Sequence, residues 1–170
     1  MPLTPATLAS GLEALTPTTD VEAAKAAIAD AFVDYFVEST VFGISAVKAV
    51  LSGVPRTAMI GAMGSLNAPG VGALAIQSGI QAFWAGLLGI EVTIWILVPP
   101  IVITPSTTIP PVGNATIAAV IQPIFNANVA AEADLSTAAS NVASAIHGTQ
   151  SGGTITTVTP PAAPVPTPIL

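Results

Sequence analysis

The sequence predicts a mainly α fold: a small helical domain with a minor β component, an extended Pro-rich connector and a Pro-rich C-terminal arm. Three observations carry that expectation. Residues 70–98, GVGALAIQSGIQAFWAGLLGIEVTIWILV, hold a single charge, Glu91, and place small residues at Gly72, Ala75, Gly79, Ala82, Gly86 and Gly89 in alternating steps of three and four. Such a stripe runs down one side of a helix and lets another backbone come close. Residues 19–41 carry Ala24, Ile28, Ala31, Phe32, Tyr35 and Phe36 along one side and most of their charges away from it, the pattern of a conventional amphipathic helix. Prolines cluster in two places, Pro99 to Pro111 and the final PPAAPVPTPIL, where neither helix nor central strand can form.

Taken in order, the chain opens with a Pro/Thr-flanked lead and a short apolar helix over 5–15. Thr19-Asp-Val-Glu22 has capping-box spacing and starts the amphipathic helix. Short apolar helices follow over 44–51, ended by Gly53 and Pro55, and over 57–66, where Ala58, Ala62 and Ser65 repeat the small-residue spacing and Asn67, Pro69 and Gly70 terminate it. The central helix spans 71–89. From Ile90 the β-branched and aromatic run EVTIWILV predicts a switch to extended chain, with helix to Val98 as the alternative. Pro99, Pro100, Pro105, Pro110 and Pro111 make 99–113 an extended or polyproline-II connector. A helix over 115–129 is expected to kink or break at Pro123, and another runs from about Asp134 to Ile146 and is closed by Gly148. Residues 149–153 read as flexible, and TITTVT (154–159) as one strand. The domain boundaries are therefore 1–153 for the helical body and 154–170 for strand plus arm. The arm is either a disordered end or a stiff segment docking on a neighbouring subunit through Ile169 and Leu170.

Composition narrows the function classes. Charged residues make up 7% of the 170 residues and apolar ones 52%, and the mean hydropathy is +0.79. Typical globular chains carry roughly a quarter charged residues, so burial of surface in an assembly or a bilayer is expected. The net charge is −6, with Lys25, Lys48 and Arg56 against nine carboxylates. Three scattered cations form no basic patch, which argues against nucleic acid and against polybasic attachment to anionic lipid. With no cysteine there are no disulfides and no thiolate chemistry. The N-terminal MPLTPATLASGLEAL lacks the basic and long apolar regions of a secretory signal.

A search for catalytic groups yields little. His147 is the lone histidine, at a helix end where an imidazole stabilises the last carbonyls. Asp30, Asp34 and Glu38 recur every four residues, the spacing of a solvated helix face. Glu132 and Asp134 sit at a helix start favoured by the dipole, with a weak cation site as the functional reading. Glu91, inside the apolar run, must find a partner such as Lys48 or Arg56, protonate or face water. Neither phosphate-loop glycine pattern occurs. No catalytic, cofactor-binding or metal-binding residue is assigned. The expected contact residues are Gly79, Ala82, Gly86 and Gly89 for close helix packing at an interface, with Trp84, Trp95, Ile169 and Leu170 as apolar anchors.

The rival reading is an integral membrane or pore-forming protein in which 79–98 spans the bilayer, anchored by Trp84 and Trp95. Against it stand the off-centre Glu91, the absence of flanking basic residues and the abrupt stop at Pro99-Pro100.

The opening MPLTPATLASGL, the AFVDYF end of the first long helix, the central QAFWAGL, PPIVITPSTTIPPVGN and the terminal TPPAAPVPTPIL together resemble small Ala/Pro-rich virion structural proteins of tailed bacteriophages. The resemblance covers most of the chain and is compositional. It implies a non-enzymatic particle component of tail or baseplate, with head decoration as the alternative, assembled in the host cytoplasm. The partners implied are copies of itself and other virion proteins, with no cofactor.

Overall fold

The computed structural model describes residues 3–15, 20–37, 47–66, 69–90, 92–94, 101–150, 152–158 and 165–168. Helices α1 (Pro5–Glu13), α2 (Val21–Val37), α3 (Val47–Leu51), α4 (Val54–Ala62) and α5 (Pro69–Gly86) come first, and a 3-10 turn, Leu87–Gly89, ends α5. Strands β1 (Val92–Ile94) and β2 (Ile101–Ile109), a second 3-10 turn (Val112–Ala115), α6 (Ile117–Ala130), α7 (Leu135–Gln150), β3 (Thr154–Val158) and β4 (Val165–Pro168) complete the order. The protein is mainly helical.

Capping chemistry sets several helix starts. Asp20 caps α2: its carboxylate accepts from the N–H groups of Glu22 at 2.9 Å and Ala23 at 3.2 Å, so the cap is Asp20, one residue later than the Thr19 of the expected capping box. Pro55 lies in the first turn of α4, where a missing N–H costs nothing. That helix therefore begins before the predicted residue 57 and ends at Ala62. Gln77 of α5 accepts from the Ala118 N–H at 2.9 Å, supplying from another helix a partner for one of the orphan donors of α6. Pro123 lies inside a continuous α6, so of the expected kink or break the break does not occur. Both Pro123 and Ala119, whose carbonyl loses its helical donor, are exposed, so water can satisfy that carbonyl.

Aromatic packing between α2 and α5 forms the centre of the core. Phe83 meets Phe32 at 5.0 Å and Phe36 at 5.1 Å between ring centroids, and Trp84 stands edge-on to Phe36 at 5.5 Å. These geometries add to the area the rings bury. Leu8 and Leu12 of α1, Met59 and Met63 near α4, Ile117 and Ile121 of α6, and Val142, Ala143 and Ile146 of α7 close around it.

The strands pair antiparallel in the order β1-β2-β3-β4. Their prolines sit where no donor is needed. Pro166 and Pro168 pair with Thr156 and Thr154, and since neither can donate, these are the non-hydrogen-bonded pairs of the ladder. The alternating pairs Thr167–Ile155 and Val165–Thr157 then carry the bonds, and the outer edge of β4 has no N–H at either proline. Residues 165–168, in an arm that the sequence leaves as either a disordered end or a docking segment, thus lie on a strand paired within their own chain; Ile169 and Leu170 lie outside the described residues. Residues 101–109 of the expected extended or polyproline-II connector are extended and form β2, with a register shift between Pro105 and Thr107.

Candidate interaction surface

Charge is concentrated around α2. Lys25 pairs with Glu22 at 2.8 Å, Lys48 with Asp34 at 2.5 Å, and Arg56 makes a two-pronged contact to Asp30, Nε to Oδ1 at 2.5 Å and Nη2 to Oδ2 at 3.0 Å. Hydrogen bonding to Asp34 raises the Lys48 ammonium above its ordinary value, and hydrogen bonding to Asp30 does the same for the Arg56 guanidinium. Asp30 and Asp34 therefore receive α4 and α3 and are more than a solvated face, and the two cations expected to serve Glu91 are engaged on α2. Glu91 itself lies outside the described residues.

A buried polar chain joins α5 to the end of α7. Trp84, 1% exposed, donates its indole N–H to Gln150 Oε1 at 3.0 Å. Gln150 Nε2 in turn donates to Asn114 Oδ1 at 2.7 Å and to Thr149 Oγ1 at 3.0 Å. An indole can only donate, so it orients the Gln150 amide, and Gln150 orients Asn114. Gly148 accordingly does not close α7; the helix runs on to Gln150, and Thr149 and Gln150, expected in a flexible run, are buried. His147 lies in the last turn of α7 as the sequence indicates, but its Nδ1 is 2.9 Å from the hydroxyl of the fully buried Tyr35.

Of the expected contact residues, Gly79, Gly86 and Trp84 are used within the chain. A methyl on Gly86 would lie 2.8 Å from Pro55 Cα, and one on Gly79 would lie 2.7 Å from Met63 Cγ and 3.2 Å from the Met59 carbonyl. Their small-residue stripe is the bed of α4, which leaves no room there for a second chain. Trp84 is a core residue, Ala82 is half-buried on α5, and Gly89 ends the 3-10 turn. Trp95, with Ile169 and Leu170, lies outside the described residues. Close approach also occurs at Gly11 against Ala31, Gly113 against Thr149 and Gly153 against the Trp84 ring, contacts that no local spacing signals.

The face of α5 that the sequence reading missed is the exposed one. Val71, Leu74, Ser78, Gln81, Ala85 and Leu88 are exposed in steps of three and four. The three large side chains keep 46%, 56% and 50% of their surface. No charged residue occurs from Thr57 through Ile90 or anywhere in α6. This stripe shares its period with the buried one, which is why periodicity alone did not separate them.

Other chemistry is sparse among the described residues. A shallow groove of about 460 Å³ between α1 and α2 is lined by Ala6, Thr7, Ser10, Gly11, Ala31 and Asp34, and the Asp34 carboxylate is already held by Lys48. Glu132 and Asp134, expected to share a helix start, do separate work. Glu132 ends α6 in a left-handed conformation (φ 48°), whereas Asp134 caps α7 by accepting from the Thr137 N–H at 2.8 Å and hydroxyl at 3.0 Å. No cluster of three or more His, Asp or Glu among the described residues could hold a metal ion. No helix among them is long and apolar enough to cross a membrane. The candidate span 79–98 is α-helical only to Gly86 and extended at Val92–Ile94. Compared with known proteins, the chain matches no protein family, no curated protein and no solved structure.

Proposed function

We propose that this chain is a non-enzymatic structural subunit of a phage-like virion, placed in the tail or baseplate, and that it works by packing its uncharged surface against neighbouring subunits. The observation that carries this reading is the partition of charge. Lys25, Lys48 and Arg56 are all paired with α2, while α5, the 3-10 turn after it and α6 show Val71, Leu74, Leu88, Val120 and Val129 to the outside without a charged residue in any of the three. Exposed apolar surface of that kind marks a contact site. The small sheet with its proline-bearing edge strand supports a minor β component, and the donor-poor edge favours association through the helices over strand addition. The resemblance to virion structural proteins supports the setting.

The test is the protein content of purified particles. Mass spectrometry of gradient-purified virions is expected to find the chain at a fixed copy number, in the tail fraction after heads and tails are separated. Recovery with heads would favour a decoration role, and absence from intact particles would sink the reading. Sedimentation without detergent checks the membrane alternative, which requires material that stays dispersed only in detergent.

A further inference from the structure

We infer that the exposed face of α5 is a two-fold interface on which a second copy of this chain packs antiparallel. The inference names the partner of the surface on which the preceding reading rests. Val71, Leu74, Ser78, Gln81 and Ala85 of α5 follow the alternating three-four spacing with which one helix presents a seam to another, and Leu88 of the 3-10 turn continues it. An antiparallel copy centred between Ser78 and Gln81 sets Val71 against Leu88 of the second copy, Leu74 against Ala85, and Ser78 against Gln81. The large Leu74 then meets the small Ala85 at both ends of the contact, which is how facing layers interdigitate. A parallel copy would set Leu74 on Leu74 and Ala85 on Ala85, crowding one layer and leaving another empty.

The central pair is polar and complementary. Gln81 Nε2 donates to the Asn114 carbonyl at 3.2 Å, so its amide is oriented with Oε1 left to accept the Ser78 hydroxyl of the second copy. A single polar layer in an apolar seam fixes register and orientation. Charge does not oppose this occupant. A chain of net charge −6 repels its own copies unless they meet on an uncharged face, and α5 provides one. An isologous contact needs only that this one face be self-complementary.

The test uses the full chain, which has no cysteine of its own. Sedimentation velocity at micromolar concentrations is expected to show a dimer. Leu74→Glu enters a two-fold contact twice and is expected to weaken association by roughly a hundredfold or more. Because Leu74 is 56% exposed, the circular dichroism of that variant should match the parent, and its melting temperature should match that of the parent diluted to monomer. Orientation is read from Leu74→Cys and Ala85→Cys single variants: under oxidation a mixture should crosslink between the two, and neither alone should crosslink efficiently. A monomer throughout, a dimer indifferent to Leu74→Glu, or self-crosslinking that outruns the mixed product overturns the inference. A monomer that is nevertheless a virion component would overturn the dimer and leave the subunit reading standing. A dimer with these crosslinks in a chain absent from particles would do the reverse.

Discussion

The Trp84 indole donates to Gln150 Oε1 at 3.0 Å, joining α5 to the last residue of α7 across 66 positions of sequence. Both side chains are 1% exposed, so neither can turn to bulk water for a replacement. Gln150→Leu removes the acceptor of the indole and the donor to Asn114 Oδ1 together. A buried group left unsatisfied costs about 1–3 kcal/mol, so this variant is expected to lose about 2–4 kcal/mol in urea unfolding. Trp84→Phe should also destabilise. The double variant Trp84→Phe/Gln150→Leu should lose less than the sum of the two, with a coupling of about 1 kcal/mol or more. Strict additivity would mean that the contact contributes nothing to stability.

The buried chain also shows where sequence reading reaches its limit. The amphipathic α2 and the central α5 were legible because their signals are local: a capping-box spacing, a three-four period, prolines and glycines at the ends. The role of Gln150 was not, because its partners Trp84 and Asn114 lie far away in sequence and Gly148 reads locally as a stop. Tertiary burial of Thr149 and Gln150 carries α7 past that glycine. The phase of α5 was hidden for a different reason. A helix apolar nearly all round carries two stripes of the same period, and only the position of α4 decides that Gly79 and Gly86 face inward while Leu74 and Leu88 face out. Asp30 and Asp34 do keep about half of their side-chain surface, as a solvated face would, but their ion pairs were not legible because Arg56 and Lys48 come from separate helices.

The two interhelical glycines of α5 should respond differently to alanine. Helix propensity favours each replacement by about 1 kcal/mol. At Gly79 the nearest obstacle is Met63 Cγ, part of a flexible side chain that can yield, so Gly79→Ala is expected to fall within about 1 kcal/mol of the parent. At Gly86 the obstacle is Pro55 Cα, backbone locked in the first turn of α4. Gly86→Ala is expected to destabilise by about 1–3 kcal/mol, and Gly86→Leu by more. Chemical denaturation of the pair checks the order, and equal effects would contradict the packing described.

Glu132 offers a stabilising change. Its left-handed backbone is held by a closing pair of bonds, the Ala133 N–H to the Asn128 carbonyl at 2.9 Å and its own N–H to the Val129 carbonyl at 3.2 Å. That is the cap in which glycine is the usual residue. A side chain there costs roughly 1–2 kcal/mol, partly recovered because glycine loses more entropy on folding. Glu132→Gly is expected to gain about 0.5–1 kcal/mol, read as a higher melting temperature. A lower one would mean that the carboxylate makes a contribution its exposed position does not suggest.

Asp134 gives the fold one identifiable acid sensitivity. Hydrogen bonds from the Thr137 backbone and then from its hydroxyl hold the carboxyl below its ordinary range. Because the folded value lies below the unfolded one, the stabilisation is fully present above the ordinary aspartate value, near pH 4. It is lost as pH falls through the lowered folded value, since the protonated group is the one the unfolded chain prefers. Asp134→Asn keeps an oxygen that accepts the Thr137 N–H and removes the titration. Its melting temperature should therefore fall less steeply than the parent's on acidification below about pH 4. At neutral pH the variant should lie somewhat below the parent, because the charge on the helix N-terminus is gone. Parallel acid limbs in the two proteins would show that the acid sensitivity arises from other carboxylates and that the Asp134 cap does not depend on its charge.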